Sequence, residues 1–349
     1  MSPAIQSHRA PRSEQKKQPI AANPAPFQEA LTGWFAQAGR DLPWRRTGDP
    51  YAILVSEMML QQTQVATVIG YFHRWMERFP TVEALARAEE AEVLHLWQGL
   101  GYYSRAKRLA AAAKEIVERH GGAFPRDEAS IRTLPGVGPY TAAAVATFAF
   151  DHPVPPIDGN IARVMARLLD DPTPIDTAAG IARLRETATA WQPRERAGVF
   201  NEALMELGAL VCTPRTPSCL ICPVQRFCAT ETPERLPVKK PRPKVIALDE
   251  LCGWTEKEGA ILLEQQTGSR WNGLWRLPLL EGGGGGKPLV KLTYPFTNHR
   301  ITLRVVAAPP PETLPENCAW ISHEQLGAIA MTAPHRRAVE ALLRRSSKK

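Results

Sequence analysis

"LPGVGPYTAAA", residues 134–144, places two glycines and two prolines in a short turn that leads directly into an apolar helix. Gly136 and Gly138 can adopt positive φ, which lets successive backbone N–H groups converge on one point. Pro139 suits the first position of a helix, where its missing N–H costs nothing. The positive end of the helix dipole would add to these N–H groups. The turn therefore predicts a seat for a phosphate group, with a plain helix–helix connector as the alternative.

A second stretch of the chain repeats this pattern. "WQGLGYYSRA" (97–106) and "LPGVGPYTAA" (134–143) share Gly-x-Gly, an aromatic residue two places on, a hydroxyl residue and then a helical segment. The repetition favours two helix–turn–helix units that face a common ligand. Two glycine-capped helix ends remain the alternative.

Around these turns, apolar residues recur with a period of 3.6 over almost all of residues 27–210 and predict helices, including one over 51–76. From residue 244 the sequence pattern changes to short runs typical of β-strands, such as "KLTYPF" and "ITLRVVAA". They are followed by a segment that predicts an amphipathic helix, "APHRRAVEALLRR". We therefore expect a mainly α domain and a smaller α+β domain.

The expected domain boundaries follow from these changes in composition. The polar, Pro-rich residues 1–26 are a disordered tail, and the helical domain occupies 27–232. A basic, Pro-rich linker at 233–243 leads to the α+β domain at 244–345, and 346–349 form a short tail. The five glycines at 282–286 are expected to form a flexible loop inside the second domain.

The net charge of +8 is distributed unevenly. Residues 1–26, 235–244 and 344–349 together carry +12, so the remaining residues sum to −4. A nucleic-acid partner is therefore allowed by the charge and must be argued from local features. The chain begins without an apolar signal segment and contains no apolar run long enough for a membrane span. We expect a cytoplasmic protein.

Four of the six cysteines form a C-x6-C-x2-C-x5-C cluster. The cluster consists of Cys212, Cys219, Cys222 and Cys228. Clustered thiols in a reducing compartment are more often metal ligands than disulfides. Four thiolates this close can hold a tetrahedral zinc or an iron–sulfur cluster, and the spacing does not separate the two. Cys252 and Cys318 have no such neighbours and are expected to be packed thiols.

Two carboxylates stand in settings that suggest chemistry. Glu57 has apolar residues at i−4, i−3 and i+3, so we expect burial that raises its pKa and suits a general acid, although most helical glutamates are solvated. Asp158, in "PIDGNIARV", precedes a helix and can serve as an N-cap or as an ionised carboxylate facing a developing cation. A protonated Glu with an ionised Asp can cleave a glycosidic bond.

With these residues aligned, the chain resembles the MutY family, the adenine DNA glycosylases of the helix–hairpin–helix superfamily. The resemblance covers about residues 27–345 and rests on six features. They are "LPWRR", "SEMMLQQTQV", "GLGYYSRA", "LPGVGPYTAAAV", "PIDGNIARV" and the four-cysteine cluster. It implies a helix–hairpin–helix catalytic domain with an iron–sulfur module, one [4Fe–4S] cluster on the four cysteines, and a Nudix (MutT-like) C-terminal domain that recognises 8-oxoguanine. The partner implied is double-stranded DNA with adenine opposite 8-oxoguanine or guanine, bound by a monomer at a bacterial nucleoid.

The same resemblance implies roles for single residues. Glu57 would protonate a flipped-out adenine, and Asp158 would stabilise the sugar cation, assisted by Asn160 and Tyr140. The adenine pocket would contain Trp44, Arg45, Leu60 and Glu202. Duplex contacts would come from Gln62, Thr63, Leu100, Tyr102, Gly136 and Gly138.

The C-terminal part lacks the dense Arg/Glu box with which Nudix hydrolases hold magnesium, so we expect binding there without hydrolysis. The family's Phe-Ser-His loop corresponds to Phe296–Asn298. Thr297 keeps the hydroxyl and is expected to contact DNA. Asn298 departs from the pattern, and His299 is displaced by one position.

Two rival functions remain. An endonuclease III-like glycosylase/lyase needs a Schiff-base lysine, and this chain has Tyr140 where those relatives carry that lysine. A non-catalytic DNA-binding iron–sulfur module would have no use for the pairing of Glu57 with Asp158.

Overall fold

The computed structural model describes residues 19–241, 243–268, 271–280 and 287–346. The glycine run at 282–286, most of the expected N-terminal tail and residues 347–349 of the C-terminal tail lie outside the described residues. No helix in the described part of the chain is long and apolar enough to cross a membrane.

Up to Leu210 the described chain is almost entirely helical, as the apolar period predicted. The helices are α1 (Ala25–Ala38), α2 (Pro50–Leu60), α3 (Val65–Arg78), α4 (Val82–Ala86), α5 (Glu90–Trp97), α6 (Ser104–His120), α7 (Glu128–Thr133), α8 (Pro139–Phe150), α9 (Gly159–Leu169), α10 (Ala178–Trp191) and α11 (Ala197–Leu210). The helix predicted over 51–76 is in fact two helices, because the helical conformation is interrupted between Leu60 and Val65.

The β-rich C-terminal part was also predicted correctly in class. Its elements are β1 (Ile246–Trp254), β2 (Glu256–Lys257), β3 (Ala260–Gln265), β4 (Trp275–Arg276), β5 (Val290–Phe296), β6 (His299–Ala307), β7 (Cys318–Ser322) and α12 (Ala333–Ser346). One sheet has the order β1-β6-β5, with β1 parallel and β5 antiparallel to β6. In the second sheet β3 pairs with β2, β4 and β7.

The chain divides into two compact units that do not follow the order of the sequence. The first unit contains the described residues up to Asp41 together with Ala142–Lys240. The second unit contains Leu42–Thr141 and the described residues from Pro241 onward, so the β-rich part is grouped with α2–α7. The domain boundaries at 232 and 244 stay a prediction.

Each unit has an aromatic core. In the first unit the Phe27 ring makes edge-on contacts with Trp191, Phe200 and Phe227, at centroid distances of 5.7 to 6.0 Å. In the second unit the Trp75 ring contacts Trp97 edge-on at 5.4 Å. Such rings bury large apolar areas and supply most of the hydrophobic stabilisation of a helical core.

The turn between α5 and α6 depends on close packing in the second unit. Gly99 has φ 103°, and a Cβ at this position would lie 2.1 Å from the Tyr71 hydroxyl. That hydroxyl donates a hydrogen bond to the Gln98 carbonyl at 2.7 Å. Gly101 has φ 71°, but no atom lies within 4 Å of its Cβ position. The two glycines therefore have different requirements, one steric and one conformational.

We expect Gly99→Ala to lower the free energy of unfolding by at least about 2 kcal/mol, because it combines an unfavourable φ with displacement of the Tyr71 hydroxyl. Tyr71→Phe removes the clashing oxygen, so the double variant should be less destabilised than the sum of the single variants, by about 1 kcal/mol. Urea denaturation measures these quantities. Gly101→Ala is the control and should show the conformational cost alone, about 1 kcal/mol. Strict additivity of Gly99→Ala and Tyr71→Phe would contradict the steric explanation.

Candidate active site

Glu57 lies on α2 and is only 5% exposed, which confirms the predicted burial. Helix α2 begins where Asp49 caps it by accepting a hydrogen bond from the Tyr51 N–H, and Pro50 occupies its first turn. The Tyr140 hydroxyl donates to Glu57 Oε2 at 2.7 Å. Tyr140 stands one residue after the start of α8, so the helix that leaves the glycine turn also carries the partner of this carboxyl group.

The predicted base-pocket residues have varied surroundings. Trp44 is buried in a short 3-10 helix, Pro43–Arg45, and its ring contacts Phe72 edge-on at 5.5 Å. Leu60, which ends α2, is half-buried. Trp44, Arg45 and Leu60 belong to the second unit, whereas Glu202, on α11, belongs to the first.

Asp158 caps the N-terminus of α9 in the first unit. Its Oδ1 accepts hydrogen bonds from the N–H groups of Asn160 (2.9 Å) and Ile161 (2.7 Å). Its Oδ2 accepts from the Asn160 side-chain amide at 2.8 Å. Burial raises the pKa of Asp158 above the ordinary value for aspartate, and these hydrogen bonds, together with the positive charge of Arg163, oppose that rise. The capping interpretation is confirmed, and it fixes the direction of the carboxylate.

A buried arginine connects this cap to the cysteine segment. Arg163 Nη2 donates to Asn160 Oδ1 (2.9 Å) and to the Gly208 carbonyl (2.8 Å). Its Nε donates to the Cys212 carbonyl at 2.8 Å. The structure therefore unites Asp158 with Asn160 in the first unit and Glu57 with Tyr140 in the second.

The glycine turn that opens α8 agrees only in part with expectation. Gly136 has φ 76°, and a Cβ there would lie 2.5 Å from Arg108 Cβ on α6, so this glycine allows close packing of the turn. Gly138 does not have positive φ, and no atom lies within 4 Å of its Cβ position. Of the two glycines that could adopt positive φ, only Gly136 does so, and the space around Gly138 is open. Pro139 begins α8 as predicted.

Arg105, a residue that the sequence analysis missed, joins two of the predicted DNA-contacting segments. Its Nη1 donates to the carbonyls of Met58 (2.8 Å), Met59 (3.0 Å) and Gln61 (2.6 Å). Its Nη2 donates to the carbonyls of Leu100 and Gly101, both at 3.1 Å. The side chain is 5% exposed, and burial lowers the pKa of Arg105 to about 10, so it is charged at neutral pH.

Arg105 binds backbone carbonyls at the non-helical stretch that separates α2 from α3. The last carbonyls of a helix have no partner within the helix, and a guanidinium can satisfy several of them. The position "GYYSRA" gives no sign of this, since an arginine in the first turn of a helix is usually solvated. The only available signal is its place two residues after the repeated aromatic position.

The four predicted duplex-entering residues differ in exposure. Gln62 and Tyr102 are exposed and both have positive φ, 57° and 48°. Thr63 is half-buried and its hydroxyl lies 3.4 Å from Arg105 Nη2. Leu100 is only 7% exposed, so its side chain contributes to the core. Non-glycine residues with positive φ cost energy and cluster at functional sites.

In the C-terminal part, Thr297 and Asn298 form the two-residue tip of the β5–β6 hairpin. Thr297 is exposed with φ 52°, which is unfavourable for a β-branched residue. Its hydroxyl lies 3.3 Å from Asn298 Oδ1 and 3.3 Å from His299 Nδ1. The displaced histidine therefore still lies beside the threonine hydroxyl.

The cysteine segment is held by another buried arginine. Arg167 Nη1 donates to the Thr213 carbonyl (2.8 Å) and lies 3.3 Å from Cys212 Sγ, and the Cys228 thiol donates to the Arg167 carbonyl at 3.4 Å. Among the residues that the structure describes, no three His, Cys, Asp or Glu side chains form a group that could hold a metal ion.

The chemistry of the four thiols nevertheless fits a metal group. Burial, together with the proximity of Cys212, Cys228 and Cys219, raises the pKa of the Cys222 thiol to about 12. The four sulfurs are thus near enough to repel one another as thiolates. A cationic iron or zinc centre relieves that repulsion when it binds.

These features define a class of protein. Residues 55–186 match the model of the HhH-GPD superfamily of base excision DNA repair proteins. Among curated proteins, the chain is similar to the adenine DNA glycosylase of Rattus norvegicus, with 47% identity over 214 residues. That match covers 58% of this chain and 41% of the rat protein.

Other similar curated proteins carry the same name. The adenine DNA glycosylase of Homo sapiens is 46% identical over 211 residues, covering 58% of this chain and 39% of that protein. That of Mycolicibacterium smegmatis is 47% identical over 195 residues, covering 56% and 66%. The chain thus spans about two fifths of the length of the mammalian relatives.

Two solved structures are also similar to this chain. A thermostable thymine-DNA glycosylase matches with a TM-score of 0.55 and 29% identity, covering 59% of this chain and 95% of that one. A trapped endonuclease III–DNA intermediate matches with a TM-score of 0.52 and 22% identity, covering 62% and 96%. The second likeness establishes the fold alone.

The cap geometry predicts a pH effect. Asn160→Ala removes a hydrogen bond that favours the ionised form of Asp158, so the pKa of this carboxyl group should rise further. Under the function proposed below, in which Asp158 acts in its ionised form, the acid limb of a pH–rate profile should move to higher pH. Single-turnover excision of adenine at a series of pH values measures the position of this acid limb. Asn23→Ala removes an exposed amide that accepts from the Ala25 N–H in the same unit and should leave the limb in place. A limb that stays in place or moves to lower pH in Asn160→Ala would contradict this assignment.

Proposed function

We propose that the chain is a monofunctional DNA glycosylase of base excision repair. It hydrolyses the N-glycosidic bond of adenine mispaired with 8-oxoguanine or guanine, after the adenine has been flipped out of the duplex. The observation that carries this proposal is the buried Glu57 carboxyl group held by the Tyr140 hydroxyl at 2.7 Å. Similarity to curated adenine DNA glycosylases supports the choice of base.

Glu57 acts as the general acid. A carboxyl group shielded from water holds its proton to higher pH than an exposed one, which suits protonation of the departing base. The Tyr140 hydroxyl orients Glu57 by donating to Oε2. A tyrosine cannot form a Schiff base, so the bond is cleaved by water and the DNA strand is left intact. Trp44, Arg45, Leu60 and Glu202 contribute to binding of the base.

Asp158 supplies the negative charge that the sugar needs. As the glycosidic bond breaks, the deoxyribose develops positive charge, and a fixed carboxylate lowers the energy of that state. The two backbone N–H bonds and the Asn160 amide hold both oxygens of Asp158 in place. A preorganised carboxylate needs no rearrangement during the reaction, which is the advantage of using a helix cap for this purpose.

Duplex DNA is bound through the two glycine turns and the exposed residues beside them. Open backbone at Gly138, close packing at Gly136 and the N-terminus of α8 suit a phosphate group. Gln62 and Tyr102 enter the base stack and fill the space that the extruded adenine leaves, with Thr63 and Leu100 behind them. At the β5–β6 tip, Thr297 and the adjacent His299 offer a hydroxyl and an imidazole to the opposing 8-oxoguanine.

We further propose that Cys212, Cys219, Cys222 and Cys228 hold a [4Fe–4S] cluster. This rests on the family resemblance, on the contacts of Cys212 and Cys228 with Arg167, and on the proximity of the other three cysteines to Cys222. A bound cluster would stabilise the short segment 212–228, which has few buried apolar residues of its own.

The proposed chemistry predicts the behaviour of Glu57→Gln. Loss of the acidic proton should lower the single-turnover rate of adenine release by about 10³-fold, while affinity for duplex DNA changes little. The assay compares adenine opposite 8-oxoguanine, guanine and thymine, together with a duplex that contains an oxidised pyrimidine. Glu118→Gln, an exposed glutamate on α6, is the matched control and should retain full activity.

Release of adenine chiefly from the 8-oxoguanine duplex supports the proposal. Excision of the oxidised pyrimidine, or borohydride trapping of a covalent complex, would assign the chain to the lyases. Unchanged activity of Glu57→Gln would remove this residue from the reaction.

The metal proposal predicts that the purified chain contains iron and acid-labile sulfide. Cys222→Ser should lose both and unfold at lower temperature, since folding of the 212–228 segment depends on the metal. Cys318→Ser, a half-buried cysteine outside the cluster, is the control and should keep the wild-type iron content. Zinc without iron in mass spectrometry would contradict the proposal.

A further inference from the structure

The turn between α5 and α6, residues 98–103, is held from two sides within the second unit. From the helical side, Arg105 binds the carbonyls of Leu100 and Gly101. From the other side, contacts come from a C-terminal stretch, residues 326–336, which includes the start of α12. We call this stretch the 326–336 segment.

Arg336 makes the first of these contacts. Its Nη2 donates to Gln98 Oε1 at 3.3 Å and, within the C-terminal part, to the carbonyls of Leu326 (3.1 Å) and Ile329 (2.7 Å). A single half-buried guanidinium group thus joins the side chain that begins the turn to two carbonyls of the 326–336 segment. Because a guanidinium is planar and rigid, it fixes the relative positions of its acceptors.

Tyr103 makes the second contact at the opposite end of the turn. The residue is 5% exposed and its hydroxyl donates to the Met331 carbonyl at 3.3 Å. Burial raises the pKa of Tyr103 to about 12, so the hydroxyl remains a donor at neutral pH. The two ends of the turn are therefore both attached to the 326–336 segment.

Between these two attachments lies Tyr102, which is 44% exposed and has φ 48°. A tyrosine in this left-handed conformation is disfavoured relative to an extended one and persists only when its surroundings impose it. Its neighbours on both sides are held, so the surroundings that impose it include the C-terminal part. Displacement of the 326–336 segment would release Gln98 and Tyr103 and allow Tyr102 to relax.

We propose that the 326–336 segment positions the turn that carries Tyr102, with Arg336 as a positioning residue that acts through Gln98. The C-terminal part then contributes to base extrusion by holding the aromatic side chain in its duplex-entering conformation, in addition to any contact of its own with DNA. The role of Tyr102 in DNA rests on the proposed function. The coupling between Arg336 and the turn does not.

The test uses the full chain and a double-mutant cycle of Gln98→Ala and Arg336→Met. Hydrogen exchange of the free protein, followed by mass spectrometry, reports the turn independently of DNA. Each variant should raise the exchange rate of the 98–103 amides by about tenfold, the size expected for one hydrogen bond to a charged group. The double variant should be no worse than the single variants. Gln98→Glu keeps an acceptor for Arg336 and should preserve wild-type exchange.

The functional readout is single-turnover adenine release at saturating enzyme, together with fluorescence of 2-aminopurine placed beside the target adenine. Gln98→Ala and Arg336→Met should slow the fluorescence change and adenine release by about tenfold, with less effect on duplex affinity. Arg337→Met, which removes an exposed arginine at the next position of α12, should leave both unchanged.

The possible outcomes separate the two proposals. A wild-type chain that releases no adenine overturns the proposed function, while the exchange data still decide the coupling. Unchanged exchange at 98–103 in Gln98→Ala, or fully additive effects in the double variant, overturns the coupling even if adenine is released. If Arg336→Met does not fold, Gln98→Ala and Gln98→Glu decide by themselves.

Discussion

The buried guanidinium of Arg105 is the interaction on which the surroundings of the candidate site depend. It satisfies carbonyls at the end of α2 and in the turn before α6, two segments that are about 40 residues apart in sequence. A charge removed from water is costly unless every donor is used productively. Arg105 offsets this cost with carbonyl acceptors for both terminal nitrogens, while its buried Nε has no hydrogen-bond partner among the described residues. The guanidinium therefore orders both segments at once.

The first unit uses the same device. Arg163 and Arg167 are 7% and 1% exposed, and both lie on α9 directly after the Asp158 cap. Their donors are directed at carbonyls in the last turn of α11 and in the chain that follows it, including those of Gly208, Cys212 and Thr213. An irregular segment with few apolar side chains cannot be held by hydrophobic burial, and multidentate hydrogen bonds replace it. One helix therefore supplies both a directed carboxylate and the support for the cysteine segment.

Much of the candidate site was predictable because its residues are neighbours in sequence. Asp158 caps a helix that starts one residue later, and Asn160 reaches its carboxylate across two residues. Burial of Glu57 followed from the apolar residues on its helix face. The hydrogen bond from Tyr140 to Glu57 could not be derived in this way, because it spans 83 positions. Which of the two glycines uses positive φ could not be derived either, since glycine permits this conformation without requiring it.

By itself, the sequence determined the helical class of residues 27–210, the β-rich class of the C-terminal part, the helix start at Pro139 and the cap at Asp158. These features depend on local periodicity, turn chemistry and capping, which act over a few residues. Only the tertiary structure decided that the helix expected over 51–76 breaks at 61–64, and that the β-rich part is grouped with residues 42–141. The break exists because Arg105, more than 40 positions downstream, supplies hydrogen bonds that a continuous helix would have made internally. The local conformational preferences of residues 51–76 carry no information about a hydrogen-bond partner so distant in sequence.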